Sequence, residues 1–371
     1  MRNTNSFDVL VIGSGLAGIC AAAAALSGNA RVGLISTGPG TFALGSACID
    51  LEELHLDQPF TNPVSKDALQ FFLALTAAAG CPYRDQPAKK LIPTALGTFR
   101  AASLTPVTAW AGNPDTSNKA LILGIKGLND FNSSFLAETL TYQAESAGWR
   151  AKYHALTLTV DNLPPAVTSL ELARWLDQEE FRRQFISLIK PLIKDYDQVL
   201  LPGILGLNND DQVLQAFQAE LGCPVCEIPT LPPSVPGLRI YQHLLTHLQN
   251  FGAVVLSGYP ATRIELEKNA AAKITIATPG RPRIVKTNAV IMAAGRGDHY
   301  RLEINPGPVI VAPVKVNEEL QVVDNNRVIA GNLFAAGSII DSGTARNGNA
   351  MAILTGYLAG NRAFRGEANN G

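Results

Sequence analysis

Hydrophobic positions in this chain form short apolar runs separated by amphipathic stretches, a pattern typical of α/β proteins. Apolar runs that finish close to glycine predict buried strands at residues 7–12, 120–125 and 288–295. Apolar positions at helical spacing predict helices at residues 65–79 and 179–192. Strands and helices therefore alternate, as in proteins built on a central parallel sheet.

The first strand leads into three glycines with the G-x-G-x-x-G spacing, Gly13, Gly15 and Gly18. The first glycine permits a tight turn, the second lets the backbone approach a phosphate, and the third lets the helix pack on the strand. An alanine-rich helix follows, and a second strand at residues 31–36 closes a βαβ unit. The pattern predicts a nucleotide or flavin phosphate at the helix N-terminus. The cofactor-binding residues predicted in this unit are Gly13, Ser14, Gly15, Leu16, Ala17, Gly18 and Ser36.

The end of the second strand lacks the acidic residue that usually binds ribose hydroxyls. The chain reads Ser36-Thr37-Gly38 at this point. This absence argues against ordinary NAD binding, and it weakens the case for the adenosine half of FAD.

The C-terminal third predicts the remainder of the same domain. Alternating strands at residues 263–267, 273–277 and 283–287 predict a β-meander. We expect a Rossmann-like flavin-binding domain with a central parallel sheet and this meander, and an inserted mixed α+β cap or substrate domain. The predicted boundaries are 1–60 for the first part of the flavin domain, 61–235 for the insertion and 236–371 for the second part.

Composition excludes several classes of protein. The 371 residues are only 16% charged with net charge −1, so nucleic acid and anionic membranes are poor partners. The five scattered cysteines form no disulfide framework, which favours a reducing compartment. The single C-x-x-C at Cys223 and Cys226 is insufficient for a four-thiolate metal site, so no metal is predicted. No apolar run is long enough to span a bilayer, which predicts a protein that is soluble or attached to a membrane through a partner.

One histidine stands out as a candidate acid or base. His299 lies in a glycine-rich loop after the predicted strand at residues 288–295. A structural role in the loop is an equally good interpretation of this residue.

Several blocks together resemble the fumarate reductase and succinate dehydrogenase class of flavoproteins. The N-terminal glycine unit, the strand that ends at Gly295 and the C-terminal block at residues 332–360 carry this resemblance. Within the class, the chain most resembles the B subunits of anaerobic glycerol-3-phosphate dehydrogenases. The blocks that carry the closer resemblance are residues 45–46, 50–51, 93–98, 124–127, 130–131, 229–235 and 237–239.

The resemblance implies a flavin, FMN with FAD as the alternative, and the absent ribose carboxylate fits FMN. It implies oxidation of glycerol 3-phosphate to dihydroxyacetone phosphate in anaerobic glycerol metabolism, with electrons passed to quinone. It also implies two partners from the same complex, a larger catalytic A subunit and an iron–sulfur C subunit that docks at the membrane. The expected location is cytoplasmic, peripheral to the inner face of the cytoplasmic membrane.

The resemblance also assigns roles to individual residues. Gly45 and Ser46 would flank the flavin ring, and the helix start at residues 347–350 would stabilise the reduced ring. Arg239 and Arg346 are the candidates for binding the substrate phosphate. The further cofactor-binding residues predicted in this way are Gly45, Ser46, Gly295, Gly337, Asn347, Asn349 and Ala350; the catalytic candidates are His299, Arg239 and Arg346.

Two departures and two alternatives accompany this interpretation. Ser338 stands where the wider class usually has an acidic residue, and no arginine and histidine set for a dicarboxylate is evident, so fumarate reduction is not expected. The chain is alternatively an electron-transfer or scaffold component of the same complex. A further alternative is another FAD-dependent reductase. A nicotinamide-dependent reductase with two dinucleotide sites is not favoured, because it would need a second glycine fingerprint, which the sequence lacks.

Overall fold

The computed structural model describes residues 5–51, 62–112, 114, 119–296, 301–341 and 348–368. The chain divides into two compact units. The first comprises Met1–Thr41, Leu51–Ala79 and Leu244–Gly371, and the second comprises Phe42–Asp50 and Gly80–His243. Relative to the predicted boundaries, the first unit gains the helix that follows residue 61, and the second gains residues 42–50 and 236–243.

The described residues form eight α-helices. They are α1 (Leu16–Ser27), α2 (Asn62–Ala78), α3 (Ser133–Ser146), α4 (Ser169–Leu176), α5 (Glu179–Ile189), α6 (Asp210–Leu221), α7 (Val235–Asn250) and α8 (Asn349–Ala368). Short 3₁₀ turns occupy Thr41–Leu44, Val107–Gly112, Lys190–Leu192 and Gly337–Ile339.

Eighteen strands accompany these helices in the described part of the chain. Those before α7 are β1 (Ser6–Ser14), β2 (Val32–Pro39), β3 (Tyr83–Pro93), β4 (Phe99–Pro106), β5 (Lys119–Ile125), β6 (Lys152–Leu158), β7 (Gln198–Pro202) and β8 (Val225–Ile228). Those after α7 are β9 (Val254–Ser257), β10 (Ala261–Glu267), β11 (Ala270–Ile276), β12 (Arg283–Met292), β13 (Arg301–Asn305), β14 (Val309–Val311), β15 (Lys315–Val316), β16 (Val322–Asp324), β17 (Arg327–Val328) and β18 (Leu333–Ala335).

The first unit is built on a nine-stranded sheet. Its parallel part has the order β9-β2-β1-β12-β18, and β1 lies at its centre with Val9, Leu10 and Val11 fully buried. The antiparallel strands β10, β11 and β12 form the predicted meander. The prediction of a Rossmann-like domain with a central parallel sheet is therefore confirmed.

Strand β12 differs from the sequence prediction, which had separate strands at residues 283–287 and 288–295. In the structure Arg283–Met292 is one strand. Its first half pairs antiparallel with β11, while residues 286–292 pair parallel with β1. One strand thus joins the meander to the parallel sheet, so the carboxyl end of β12 meets that of β1.

The second unit has its own four-stranded sheet, in the order β6-β5-β7-β8. All its pairings are parallel, so the inserted sheet is a parallel α/β layer, and the antiparallel hairpin β3–β4 supplies the mixed part. The central strands β5 and β7 are buried along nearly their whole length, as the continuous apolar runs of their sequences require.

Helix α7 begins inside a proline-rich stretch. Residues 227–239 contain four prolines, and the helix starts at Val235. Pro236 lies in the first turn, where its missing N–H costs no helical hydrogen bond. Arg239 is therefore a helical residue.

Candidate functional site

The glycine turn between β1 and α1 is the first candidate site, and two of its glycines are required by packing. Gly13 has φ +116°, and a Cβ added there would lie 2.2 Å from the Ala293 carbonyl oxygen. A Cβ on Gly18 would lie 1.8 Å from the Gly13 carbonyl oxygen. Larger side chains at these two positions would separate α1 from the sheet.

Gly15 is different, because no atom of the described residues excludes a side chain there. A Cβ on Gly15 would have its nearest neighbour, Gly40 Cα, at 3.9 Å, and its backbone is extended with φ −65°. Gly15 is the N-cap of α1, no side chain caps this helix, and its first turn has no acidic residue. The N–H groups of Leu16, Ala17 and Gly18 have no intrahelical acceptors, so this turn suits an anion.

Ser36 lies in the second half of β2 and is the last residue of that strand to pair with β9, close to where nucleotide-binding folds usually place the ribose carboxylate. It is 6% exposed, and its hydroxyl has no hydrogen-bond partner within the part of the chain that the structure describes. A buried hydroxyl without a partner is unfavourable. A ligand hydroxyl at this position would supply the partner, so the residues of the first unit fit a bound nucleotide.

Ser14 shapes the glycine turn. Its hydroxyl donates to the Gly38 carbonyl oxygen at 3.0 Å, and its side chain is buried. This bond holds the segment after β2 against the turn, where Gly40 packs on Gly15 so closely that a Cβ on Gly40 would lie 2.6 Å from Gly15 Cα.

Two more predicted residues join the same edge of the sheet. Gly295 and Gly337 follow β12 and β18, and both have φ +77°. A Cβ on Gly337 would lie 2.6 Å from the Ala17 side chain, and the Gly337 N–H donates to the Thr355 hydroxyl at 2.7 Å. The predicted glycines from three separate blocks therefore surround the start of α1.

Helix α8 packs against α1 through small residues. Gly356 and Gly360 approach so closely that added Cβ atoms would each lie 2.4 Å from α1 carbonyl oxygens. This contact fixes the start of α8, where Asn349 is half-buried and Ala350 is buried. The predicted residues His299, Arg346 and Asn347 lie outside the described residues.

The second candidate site is a cavity of about 170 Å³ in the second unit. It brings together two blocks that the sequence resemblance singled out, residues 93–96 and 229–232, and the predicted Ser46. Gly45 and Ser46 belong to this unit. The residues that line the cavity are Ser46, Cys48, Ile92, Pro93, Thr94, Ala95, Leu96, Arg100, Pro229, Thr230, Leu231 and Pro232.

Cys48 is buried and forms part of the wall of this cavity. Burial raises the pKa of its thiol to about 11, although the Ser46 hydrogen bond and the charge of Arg100 both act to lower it. Cys48 is therefore a neutral thiol at physiological pH, and it adds no negative charge to the cavity.

Arg239 was predicted to bind a substrate phosphate, but its geometry is that of a structural residue. Its side chain is 1% exposed, and its two terminal nitrogens lie 2.8 and 2.9 Å from the carboxylate oxygens of Glu227, itself fully buried. Its Nε donates to the Gly206 carbonyl oxygen at 2.8 Å. Burial alone would lower the pKa of Arg239, but the Glu227 charge and hydrogen bonds raise it above its usual value. The predicted substrate role has no support in this geometry.

Arg100 and Thr230 are the residues that the sequence undervalued. Arg100 lines the cavity, and no described residue pairs with its guanidinium; Thr230 is 5% exposed, and its hydroxyl has no partner within the described chain. The sequence feature that could have identified these two residues is their position inside or beside the blocks of residues 93–98 and 229–235. Sequence alone does not reveal that these blocks meet.

Two kinds of feature are absent from the described residues. No group of three or more histidine, cysteine, aspartate or glutamate residues is arranged to hold a metal ion. None of the described helices combines the length and apolar character needed to cross a bilayer.

The sequence matches the family of FAD binding domains over residues 60–307, more than half of the chain. It is 32% identical over 294 residues to the B subunit of anaerobic glycerol-3-phosphate dehydrogenase from Pectobacterium carotovorum subsp. carotovorum (strain PC1), covering 70% of this chain and 68% of that protein. A probable B subunit of the same enzyme from Halobacterium salinarum (strain ATCC 29341 / DSM 671 / R1) is 26% identical over 421 residues, which cover 96% of this chain and 97% of the relative.

Among solved structures, Thermovibrio ammonificans THI4 aligns with 98% of this chain and 90% of its own. The TM-score is 0.38 and the sequence identity 9%, a similarity too low to carry a conclusion.

Proposed function

Because this chain belongs to the family of FAD binding domains and to that of anaerobic glycerol-3-phosphate dehydrogenase B subunits, we propose that it is the flavin-binding B subunit of such an enzyme. The proposed reaction oxidises C2 of sn-glycerol 3-phosphate to dihydroxyacetone phosphate. Each turnover releases two electrons and two protons, and quinone is the proposed acceptor of the electrons.

The observation that carries this proposal is the glycine turn of the first unit. Gly13 and Gly18 bring α1 onto the sheet, while Gly15 leaves an open approach to the uncapped helix N-terminus. Such a turn binds a phosphate through backbone N–H groups and the positive end of the helix dipole. The unpartnered hydroxyl of Ser36 is a second feature that a nucleotide would satisfy.

In this proposal a bound flavin supplies the two-electron acceptor, and the protein positions it. The α1 N–H groups hold a phosphate, and Gly295 and Gly337 keep the strand ends free of side chains. The start of α8, at Asn349 and Ala350, would stabilise negative charge on a reduced flavin through the positive end of the helix dipole. His299 and Arg346 keep the catalytic roles predicted from the sequence.

The identity of the flavin follows from two opposing observations. The missing ribose carboxylate favoured FMN, whereas the matched family is named for FAD. Ser36 lies where an adenosine ribose would need a partner, so we propose FAD as the bound form and FMN as the alternative.

We propose that the chain works with a catalytic A subunit and an iron–sulfur C subunit, and that the complex attaches to the cytoplasmic face of the membrane through these partners. The relatives are named as B subunits, which supports a multi-subunit enzyme.

The test is the visible absorption spectrum of the full chain and of a Gly15→Ala variant. Among the described residues the added methyl group would touch Gly40 Cα alone, at an ordinary van der Waals distance of 3.9 Å, so the variant is expected to fold but to exclude the phosphate. The matched control is Gly331→Ala, because a Cβ there has open space and the position is remote from the turn. Wild type and control should carry flavin, while Gly15→Ala should lose most of it with an unchanged circular dichroism spectrum.

Two results would contradict the proposal. Equal flavin content in all three proteins would mean that the glycine turn does not bind the cofactor. A colourless wild-type chain, even after refolding with FAD and FMN, would favour the scaffold role within the complex.

A further inference from the structure

The cavity of the second unit is enclosed by segments that have little freedom to move. Pro93, Pro229 and Pro232 restrict the backbone on two sides. The turn between β3 and β4 is closed by hydrogen bonds from the Thr94 N–H to the Thr98 carbonyl oxygen at 2.8 Å and between the two threonine hydroxyls at 2.8 Å. The cavity is therefore formed before a ligand arrives, which lowers the entropic cost of binding.

The wall that contains Ser46 and Cys48 is also fixed. The Tyr83 hydroxyl donates to the Ala47 carbonyl oxygen at 2.7 Å, and the Ile49 N–H donates to the Leu104 carbonyl oxygen at 2.9 Å. Both bonds tie this segment to the hairpin β3–β4, which carries the opposite wall. The distance between the walls is thus set by the fold of the second unit.

Positive charge and unsatisfied hydroxyl groups distinguish this cavity from a packing defect. The guanidinium of Arg100 is exposed and has no carboxylate partner among the described residues. Thr230 is more than nine-tenths buried, and its hydroxyl lacks a partner within the described chain. None of the described residues that line the cavity is acidic, and the nearby Glu227 charge is neutralised by Arg239.

The size of the cavity and its access fit a small solute. About 170 Å³ is enough for a phosphorylated three-carbon compound but small for a dinucleotide. Leu96 and Leu231 line the cavity and are themselves exposed, which leaves a route for a ligand to enter. The cavity also lies beside the segment that leaves the carboxyl end of β8, the edge at which open α/β sheets bind ligands.

We infer that this cavity binds a small phosphorylated polyol, with the phosphate on Arg100 and a carbon-bound hydroxyl on Thr230. This inference rests on the proposed function, and it deepens it by placing the binding site for sn-glycerol 3-phosphate in this cavity and by moving the phosphate contact from Arg239 to Arg100. An arginine free of carboxylates is well suited to a phosphate, because its planar donors match two phosphate oxygens.

Calorimetric titration of the full chain tests the inference, with sn-glycerol 3-phosphate, inorganic phosphate and glycerol as separate probes. Arg100→Gln should weaken glycerol 3-phosphate binding by at least about tenfold, as expected for a charged hydrogen bond. Thr230→Val should weaken the binding of glycerol 3-phosphate by about three- to tenfold and leave the affinity for inorganic phosphate unchanged. The matched control is Arg150→Gln, an exposed arginine away from the cavity, which should change neither affinity.

Several results would overturn the inference. Equal weakening by Arg100→Gln and Arg150→Gln would mean that only general charge matters. If inorganic phosphate bound as tightly as glycerol 3-phosphate, the cavity would not recognise the polyol part of the ligand. A flavin-loaded chain that binds no glycerol 3-phosphate would place the substrate site elsewhere while the proposed function stands. Failure of the proposed function itself is read separately, from the visible spectrum of the same preparations.

Discussion

The buried ion pair between Glu227 and Arg239 offers a quantitative test of how the second unit is held together. The change is Glu227→Gln, which keeps the size of the side chain but removes its charge. The carboxylate of Glu227 accepts two hydrogen bonds from Arg239 at 2.8 and 2.9 Å and one from the Leu205 N–H at 2.6 Å. The variant leaves a guanidinium, 1% exposed, without its counter-charge.

The expected loss of stability is large because water cannot solvate the buried guanidinium of Arg239. Breaking a buried ion pair by removing one partner costs about 3–5 kcal/mol. The amide that replaces the carboxylate keeps one acceptor oxygen, and Arg239 still donates to the Gly206 carbonyl oxygen. We therefore expect the free energy of unfolding of the second unit to fall by about 3 kcal/mol, the lower end of that range.

Tryptophan fluorescence during urea unfolding measures this loss in the right part of the molecule. The three tryptophans of the chain, Trp110, Trp149 and Trp175, all belong to the second unit. The matched control is Glu179→Gln, which removes the charge from an exposed ion pair with Arg183 and should leave the midpoint almost unchanged. Replacing both Glu227 and Arg239 with methionine should recover most of the stability, since apolar residues of similar size often replace buried ion pairs without loss.

A fall of less than about 1 kcal/mol for Glu227→Gln would refute the reasoning, because it would mean that water or a rearrangement satisfies the guanidinium. An equal fall for the exposed control would show that net charge, rather than burial, controls the stability of this unit.

Three further predictions concern a buried hydroxyl and the cysteine thiols. Ser36→Ala should weaken FAD binding by about tenfold or less, the value of one neutral hydrogen bond, without affecting FMN, and equal losses for both flavins would contradict the assignment of Ser36 to the adenosine ribose. Burial raises the pKa values of Cys20 and Cys48 to about 12 and about 11, so a disulfide reagent at pH 8 should modify the half-buried Cys223 first. Since unfolded thiols ionise near pH 8.5, urea midpoints should fall as pH rises above about 9; a constant midpoint would contradict those shifts.

The sequence predicted the first unit well because its signals are local. Strand β1, the glycine turn and α1 are contiguous, and each glycine has a reason that can be stated from spacing alone. The meander was equally accessible, because short turns join its strands. The sequence predicted β12 as two strands. Its two halves pair with different neighbours, and those pairings involve residues distant in the chain.

The second unit was less accessible for a related reason. Its strand β5 was predicted from the apolar run at residues 120–125, but the parallel order β6-β5-β7-β8 depends on pairings between residues far apart in the chain. The role of Arg239 failed to emerge because an arginine beside prolines gives no sign that its partner, Glu227, is buried with it. Arg100 was undervalued because the cavity it lines has walls from three separate segments.

The glycine fingerprint itself contains two kinds of evidence. At Gly13 and Gly18 an added Cβ would lie 2.2 and 1.8 Å from backbone oxygens, so these residues are required whether or not a ligand binds. At Gly15 an added Cβ meets no atom of the structurally described chain closer than 3.9 Å, so packing within that part does not account for glycine there. The outer glycines therefore argue for the fold, and the middle one argues for the phosphate. A variant at the middle position is accordingly the change that separates flavin binding from the integrity of the first unit.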